Sequence, residues 1–450
     1  MKDARKKTRG PTNATAREPG LGSREAASQD APNAFMRYLR ILGPGLIVGA
    51  SDDDPSGIGT YAVAGAMYGF STLWMAIVTF PMMASVQYIA AKVGLVTGEG
   101  FAGVLRRHYP PWLVYIVAFS LFAANTINAG ADIGAIAAAI NLILPHVPAA
   151  ALVIPVGAAL LAVQTWGSYR VIANTFKWLT LVLFAYIAAG FLAHPHWPDV
   201  ARGTFIPKIE LNADYLTTLV AILGTTISPY MIFWQASQEV EEDIALGRTQ
   251  LRQRRGSTKR ELRFAALDVG SGMLLSNIVM YFIILATAAT LFVSGHRHVE
   301  TAADVAKALV PFAGPAAEWL LAIGLIGAGA LAVPVLTTSS AYALAGAFSW
   351  KQGLDEKLLR APKFYGIIAI STVIGMEINF LGISPVAALF WTAVINGLLA
   401  PLVLIVLMLV ATNRKIMGKF VNGSVVNLFG WGTTAAMTLA AVVLLFSFGH

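Results

Sequence analysis

Apolar segments of membrane-spanning length recur eleven times in the 450 residues: roughly 38–66, 69–93, 111–143, 148–166, 171–193, 214–246, 263–293, 317–347, 364–381, 384–411 and 426–447. A helix needs about 20 apolar residues to cross hydrocarbon. In lipid its backbone groups must be satisfied within the segment, so each run is expected to be helical. The chain therefore reads as an all-α polytopic membrane protein. A hydrophobic share of 56% with only 12% charged residues leaves no soluble alternative.

The cationic residues orient the chain. With the N-terminus placed in the cytoplasm, 28 of the 32 lysines and arginines fall in inner segments, and only Arg202, Lys208, Arg297 and Lys307 fall outside. This is the positive-inside pattern, and one missed span would reverse every later loop. The net charge of +8 thus belongs to the membrane surface and does not mark a nucleic-acid partner. Residues 1–37 form a basic cytoplasmic tail expected to be disordered; they lack the apolar core of a cleavable leader. Short amphipathic helices are expected over 98–108 and 301–309. The chain has no cysteine, which excludes thiolate ligands and nucleophiles.

Two spans are interrupted. In the first, Ser51, Asp52, Asp53, Asp54, Pro55, Ser56 and Gly57 stand where hydrocarbon is expected. A carboxylate at bilayer depth costs roughly 2.5–3.5 kcal/mol on insertion scales. Backbone freed by proline and glycine is tolerated there only where it lines a cavity. In the sixth, Gly224, Thr225, Thr226, Ile227, Ser228, Pro229 and Tyr230 make a second break. It lies five spans after the first, at the matching place in a second half, so 38–193 and 214–411 read as inverted five-helix repeats with 426–447 as an added span. Paired discontinuous helices mark a transporter site at the bilayer midplane. Their ends offer carbonyls to a cation and amides to an anion, and Asp54 decides for a cation. The ligands on offer are oxygens, which suit Mg²⁺, Ca²⁺ or Mn²⁺ better than zinc or copper.

Asp52 and Asp53 read as vestibule residues that concentrate cations. Asp132 in the third span is a pathway candidate, whereas Asp268 reads as a helix cap or a partner of Arg263. Asn277 and Asn396 suit interhelical hydrogen bonding as well as ion contact. Gln235 begins an inner run in which Glu239, Glu241, Glu242 and Asp243 read as a solvated helix end. No histidine pair makes the HExxH spacing, and no nucleophile–base pair lies at depth, so no catalytic residues and no bound cofactor are expected.

These residues resemble a known family. Gly43-Pro44-Gly45, Asp54-Pro55-Ser56-Gly57 and Gly94-Leu95-Val96-Thr97-Gly98 are similar to the first two spans of the natural resistance-associated macrophage protein (Nramp) family. The resemblance implies a leucine-transporter-type fold with discontinuous first and sixth helices, and divalent metal transport that is usually proton-coupled. It places Asp54, Gly57, Thr225 and Ser228 at the metal, with Asp52, Asp53, Ser56, Asp132, Tyr230, Gln235 and Asn396 around it or along the pathway.

The departures carry more than the matches. Where the family has Asp-Pro-Gly-Asn, Ser56 and Gly57 replace glycine and asparagine. Where it has Ala-x-x-Met-Pro-His, Thr225, Ser228 and Tyr230 replace alanine, methionine and histidine. Losing the soft thioether leaves a harder site, and Mg²⁺ prefers to keep several waters. Asn125 and Ala135 stand where proton-coupled members carry glutamate. The pattern resembles the Nramp-related magnesium transporter branch. The expectation is a monomeric cell-membrane carrier or facilitator of partly hydrated Mg²⁺, and also Mn²⁺, without obligatory proton coupling. A proton-coupled Mn²⁺/Fe²⁺ symporter is the first alternative. An amino-acid or organic-cation carrier of the same fold, with Tyr230, Phe233 and Trp234 lining its pocket, is the second.

Overall fold

The computed structural model describes residues 43–167, 181–354 and 356–447. The tail, the first residues of the first span, the opening of the fifth span, Arg170 and Lys177 lie outside the described residues. Among the described residues every regular element is helical.

The first span is broken into α1 (Pro44–Asp52) and α2 (Pro55–Tyr68). Then come α3 (Trp74–Thr97), the short amphipathic α4 (Phe101–His108), α5 (Pro111–Ile143) and α6 (Ala149–Trp166). The described end of the fifth span is α7 (Ala185–Leu192). The sixth span is likewise two helices, α9 (Ala213–Thr226) and α10 (Pro229–Ala245), preceded by α8 (Trp197–Phe205). Next are α11 (Lys259–Thr287), α12 (Ala302–Lys307), α13 (Ala317–Phe348), α14 (Pro362–Ile378), α15 (Pro385–Thr412) and α16 (Ser424–Ser447). The sequence reading did not expect α8, because its polar residues hide a nine-residue amphipathic helix.

Local chemistry sets many of these ends. Thr258 and Glu261 cap each other's amides at the start of α11, and Asn212 Oδ1 accepts from the Tyr215 amide at 2.8 Å to start α9. The C-cap of α3 is Gly98 at φ +68°, a left-handed position that favours glycine.

Small residues let the helices close on one another. A Cβ on Gly49 of α1 would lie 2.3 Å from the backbone of Gly272 on α11, and one on Gly224 of α9 would lie 2.1 Å from the Ala393 carbonyl on α15. Nothing larger than hydrogen fits at either crossing, so bulk at these points would part the helices. The two long helices α5 and α13 pack along each other and hold α1, α2 and α10 in the interior. Both breaks are therefore enclosed by protein.

Candidate metal-ion site

The two breaks share one construction. Each is two residues long, Asp53-Asp54 and Ile227-Ser228, and each ends at a proline that begins the next half-helix. The residue before the proline is extended in both, with φ −68° at Asp54 and −69° at Ser228, as the proline ring requires. Proline also has no amide to donate, so the carbonyl four residues earlier loses its helical partner. Those carbonyls are Ser51 and Thr225. A hydroxyl takes each one: Tyr230 Oη donates to Ser51 O at 3.1 Å and Ser228 Oγ donates to Thr225 O at 2.9 Å. Each carbonyl keeps a second lone pair for another partner.

Asp54 is 1% exposed. Its Oδ1 accepts from the Gly57 amide at 2.7 Å and from Ser56 Oγ at 2.6 Å, so it caps α2; its Oδ2 accepts from Asn128 Nδ2 at 3.3 Å. Gly57 faces the second break. A Cβ placed on it would lie 3.1 Å from the Asp52 carbonyl oxygen, 3.2 Å from Thr225 Oγ1 and 3.3 Å from Tyr61 Cε2. Asp54, Gly57, Thr225 and Ser228 thus gather at one place. The space beside Gly57 is narrow, because the Tyr61 ring borders it.

The surrounding candidates divide. Asp52 and Asp53 are buried and not vestibule residues: Ser276 Oγ of α11 lies 2.5 Å from Asp52 Oδ2 and 3.2 Å from Asp53 Oδ1. Packing of α1 against α11 has turned both away from solvent. Asp132 stands one turn beyond Asn128 on α5, fully buried and close to Asp54 and the Ser56 amide, with neither carboxylate oxygen in a hydrogen bond of full geometry. Asn396 of α15 is likewise buried with both amide atoms unpartnered. Gln235 donates to Glu239 Oε1 at 2.9 Å. The expected solvated end of α10 is largely interior: Glu239 is buried, and Asp243 is buried against Arg248 at 2.7 Å.

Asp268 is a cap, but of another helix. Its carboxylate accepts from the amides of Gly43 at 2.8 Å, Gly45 at 2.9 Å and Leu46 at 3.1 Å, closing the start of α1 from α11. Asn277 bridges to Ala76 O at 2.7 Å and to Thr79 Oγ1 at 3.0 Å on α3, and so serves as interhelical hydrogen bonding. Phe233 packs edge-on against Phe101 in the core. Sequence reasoning missed Asn128, Ser276 and Tyr61, which carry no motif; only their polarity within apolar spans pointed to them.

Apolar side chains, among them Pro55, Ile58, Val305 and Leu389, line a small cavity beside the first turn of α2. Thr225 and Ser228 are each 2% exposed, so both are buried. Among the described residues no three acidic or histidine side chains converge to hold a metal. A cation here would meet one carboxylate, hydroxyls and carbonyls.

Two discontinuous helices meeting inside a polytopic α-helical bundle are the arrangement of the leucine-transporter-type fold. Solved structures share that architecture. The Eremococcus coleocola manganese transporter aligns with a TM-score of 0.74 at 19% identity, covering 92% of this chain and 87% of its own. The nucleobase-cation-symport-1 transporter Mhp1 aligns at 0.54 and 15%, covering 90% and 92%. Residues 45–447 match the family described as natural resistance-associated macrophage protein-like, and the chain belongs to that family. A curated relative, the divalent metal cation transporter MntH of Caldanaerobacter subterraneus subsp. tengcongensis, is 26% identical over 418 residues, or 91% of this chain and 94% of the relative.

Proposed function

We propose that the protein carries divalent metal cations into the cell by alternating access, Mg²⁺ and also Mn²⁺, as partly hydrated ions and without obligatory proton coupling. The family and the relatives named as divalent metal and manganese transporters support the coarse reading. One observation carries the finer one. The side chains facing each other across the breaks, Asp54, Thr225, Ser228 and Tyr230, offer oxygen only. Hard oxygen donors suit Mg²⁺, which keeps several waters, and give Mn²⁺ no thioether advantage. Asp54 supplies the charge, while Ser228, Thr225 and the remaining lone pairs of the Ser51 and Thr225 carbonyls contact the ion or its waters. An inside-negative potential drives entry by about 2.3 kcal/mol per charge per 100 mV. The protein would work as a monomer in the cell membrane with its N-terminus inside, as the lysine and arginine bias supports.

Proton-coupled Mn²⁺ transport is the second reading, favoured by the buried Asp132 carboxylate near Asp54. Purified protein in liposomes separates the two. Mg²⁺ uptake that competes with Mn²⁺ and leaves the internal pH unchanged is expected. Mn²⁺ uptake blind to excess Mg²⁺, with metal-driven acidification, would overturn the first reading in favour of the second.

A further inference from the structure

Tyr61 lies on α2 one turn beyond Gly57 and is wholly buried, yet its hydroxyl makes no hydrogen bond of full geometry among the described residues, although the Thr225 hydroxyl is close enough to interact with it. A buried phenol normally finds a partner, and an unmet one points to a missing water or ion. Its direction is fixed by helix geometry. Side chains lean toward the N-terminus of their helix and cover the residue four positions earlier. Tyr61 Cε2 accordingly lies 3.3 Å from where a Gly57 Cβ would be. The hydroxyl is carried on the next ring atom, Cζ, at the free end of that ring. Thr225 Oγ1 and the Asp52 carbonyl oxygen border the same space, at 3.2 Å and 3.1 Å from that point.

We infer that Tyr61 is a positioning residue for the hydrated ion: its hydroxyl hydrogen-bonds a water held by the metal beside Gly57. The inference rests on the reading that the ion travels with part of its water shell. It assigns Gly57 a purpose. The glycine admits the phenol ring, and the ring then sets how the water shell is oriented. A neutral phenol is a poor direct ligand for a hard cation but a good acceptor for the polarised proton of a metal-bound water. Mg²⁺, which dehydrates reluctantly, depends on such a contact more than Mn²⁺ does.

The test compares wild type and Tyr61→Phe in proteoliposomes, with Mg²⁺ and Mn²⁺ uptake measured against concentration. Phenylalanine keeps the ring and its packing and removes only the hydroxyl. The expected result is a KM for Mg²⁺ raised about three- to tenfold, the worth of one hydrogen bond. The KM for Mn²⁺ should move by less, and the melting temperature should stay unchanged. Calorimetric titration of the detergent-solubilised variant with MgCl₂ should show the same weakening. Tyr61→Leu, which also removes the ring, should lower the melting temperature, separating packing from water contact. Wild-type Mg²⁺ uptake with an unshifted Tyr61→Phe variant would overturn this inference alone, as would equal losses for both metals with a lowered melting temperature. Wild-type protein that carries Mn²⁺ but no Mg²⁺ would overturn the hydrated-ion reading and this inference with it.

Discussion

The Tyr230 hydroxyl donates to the Ser51 carbonyl at 3.1 Å and ties α10, the second half of the sixth span, to the last turn of α1. Pro55 makes that carbonyl available by having no amide to offer it. Tyr230→Phe should cost about 0.5–1.5 kcal/mol, the net worth of such a bond, read as a lower melting temperature of the purified protein. Tyrosine does not titrate near neutrality whereas histidine does. Tyr230→His should therefore add to Mg²⁺ uptake a dependence on pH between about 5.5 and 7.5, read against the native protein's own profile.

Asp54 has two duties that substitution can separate. An amide oxygen can still accept from Gly57, so Asp54→Asn keeps the cap on α2 while removing the charge. Uptake at low metal concentration should fall at least about tenfold, in line with contacts to charged groups worth roughly 1.5–3 kcal/mol. The melting temperature should change little. Asp54→Ala should lose both.

Asp268 closes three amides at the start of α1 from a helix 223 residues away in sequence. Asp268→Asn should destabilise the protein by about 1.5–3 kcal/mol, because a neutral amide cannot accept three bonds as a carboxylate does. Thermal unfolding in detergent measures it. Proteolysis near residue 43 should accelerate in the same variant as the start of α1 loosens.

The crossing of α1 over α11 admits no side chain at Gly49, where the neighbour is the Gly272 backbone. Backbone cannot swing aside as a side-chain tip can. Gly49→Ala should cost about 1–3 kcal/mol through overpacking and impair uptake of both metals alike, in contrast to Tyr61→Phe.

Ser228→Met should shift competition toward Mn²⁺, since a thioether favours transition metals over alkaline earths. Inhibition of Mn²⁺ uptake by excess Mg²⁺ reports the change. Adding Gly57→Asn is a less simple restoration than the sequence suggested, because the new side chain meets the Tyr61 ring and the Thr225 hydroxyl. The double variant should need a smaller residue at 61 before it gains Mn²⁺ affinity.

Much of this architecture was written locally in the chain. Pro55 and Pro229, each following a polar residue inside an apolar run, dictate where the first and sixth helices stop, because a missing amide acts within one turn. Hydropathy over about 20 residues places the spans for the same reason of short range. Asp54, Thr225 and Ser228 were legible as site residues because they sit at those breaks. What surrounds them was not. Ser276 beside Asp52, Asn128 on Asp54, Asp268 on the amides of α1 and the Tyr61 ring over Gly57 depend on which face each helix turns inward and on what it meets there. With the exception of Tyr61, these partners lie tens to hundreds of residues apart, and an apolar span shows little preference for one face over another. The sequence by itself determined the two breaks and the one carboxylate proposed to draw a cation to them. The packing of α5, α9 and α11 around those breaks decided which oxygens remain free for it, since a buried polar group takes whatever partner the fold brings within about 3 Å.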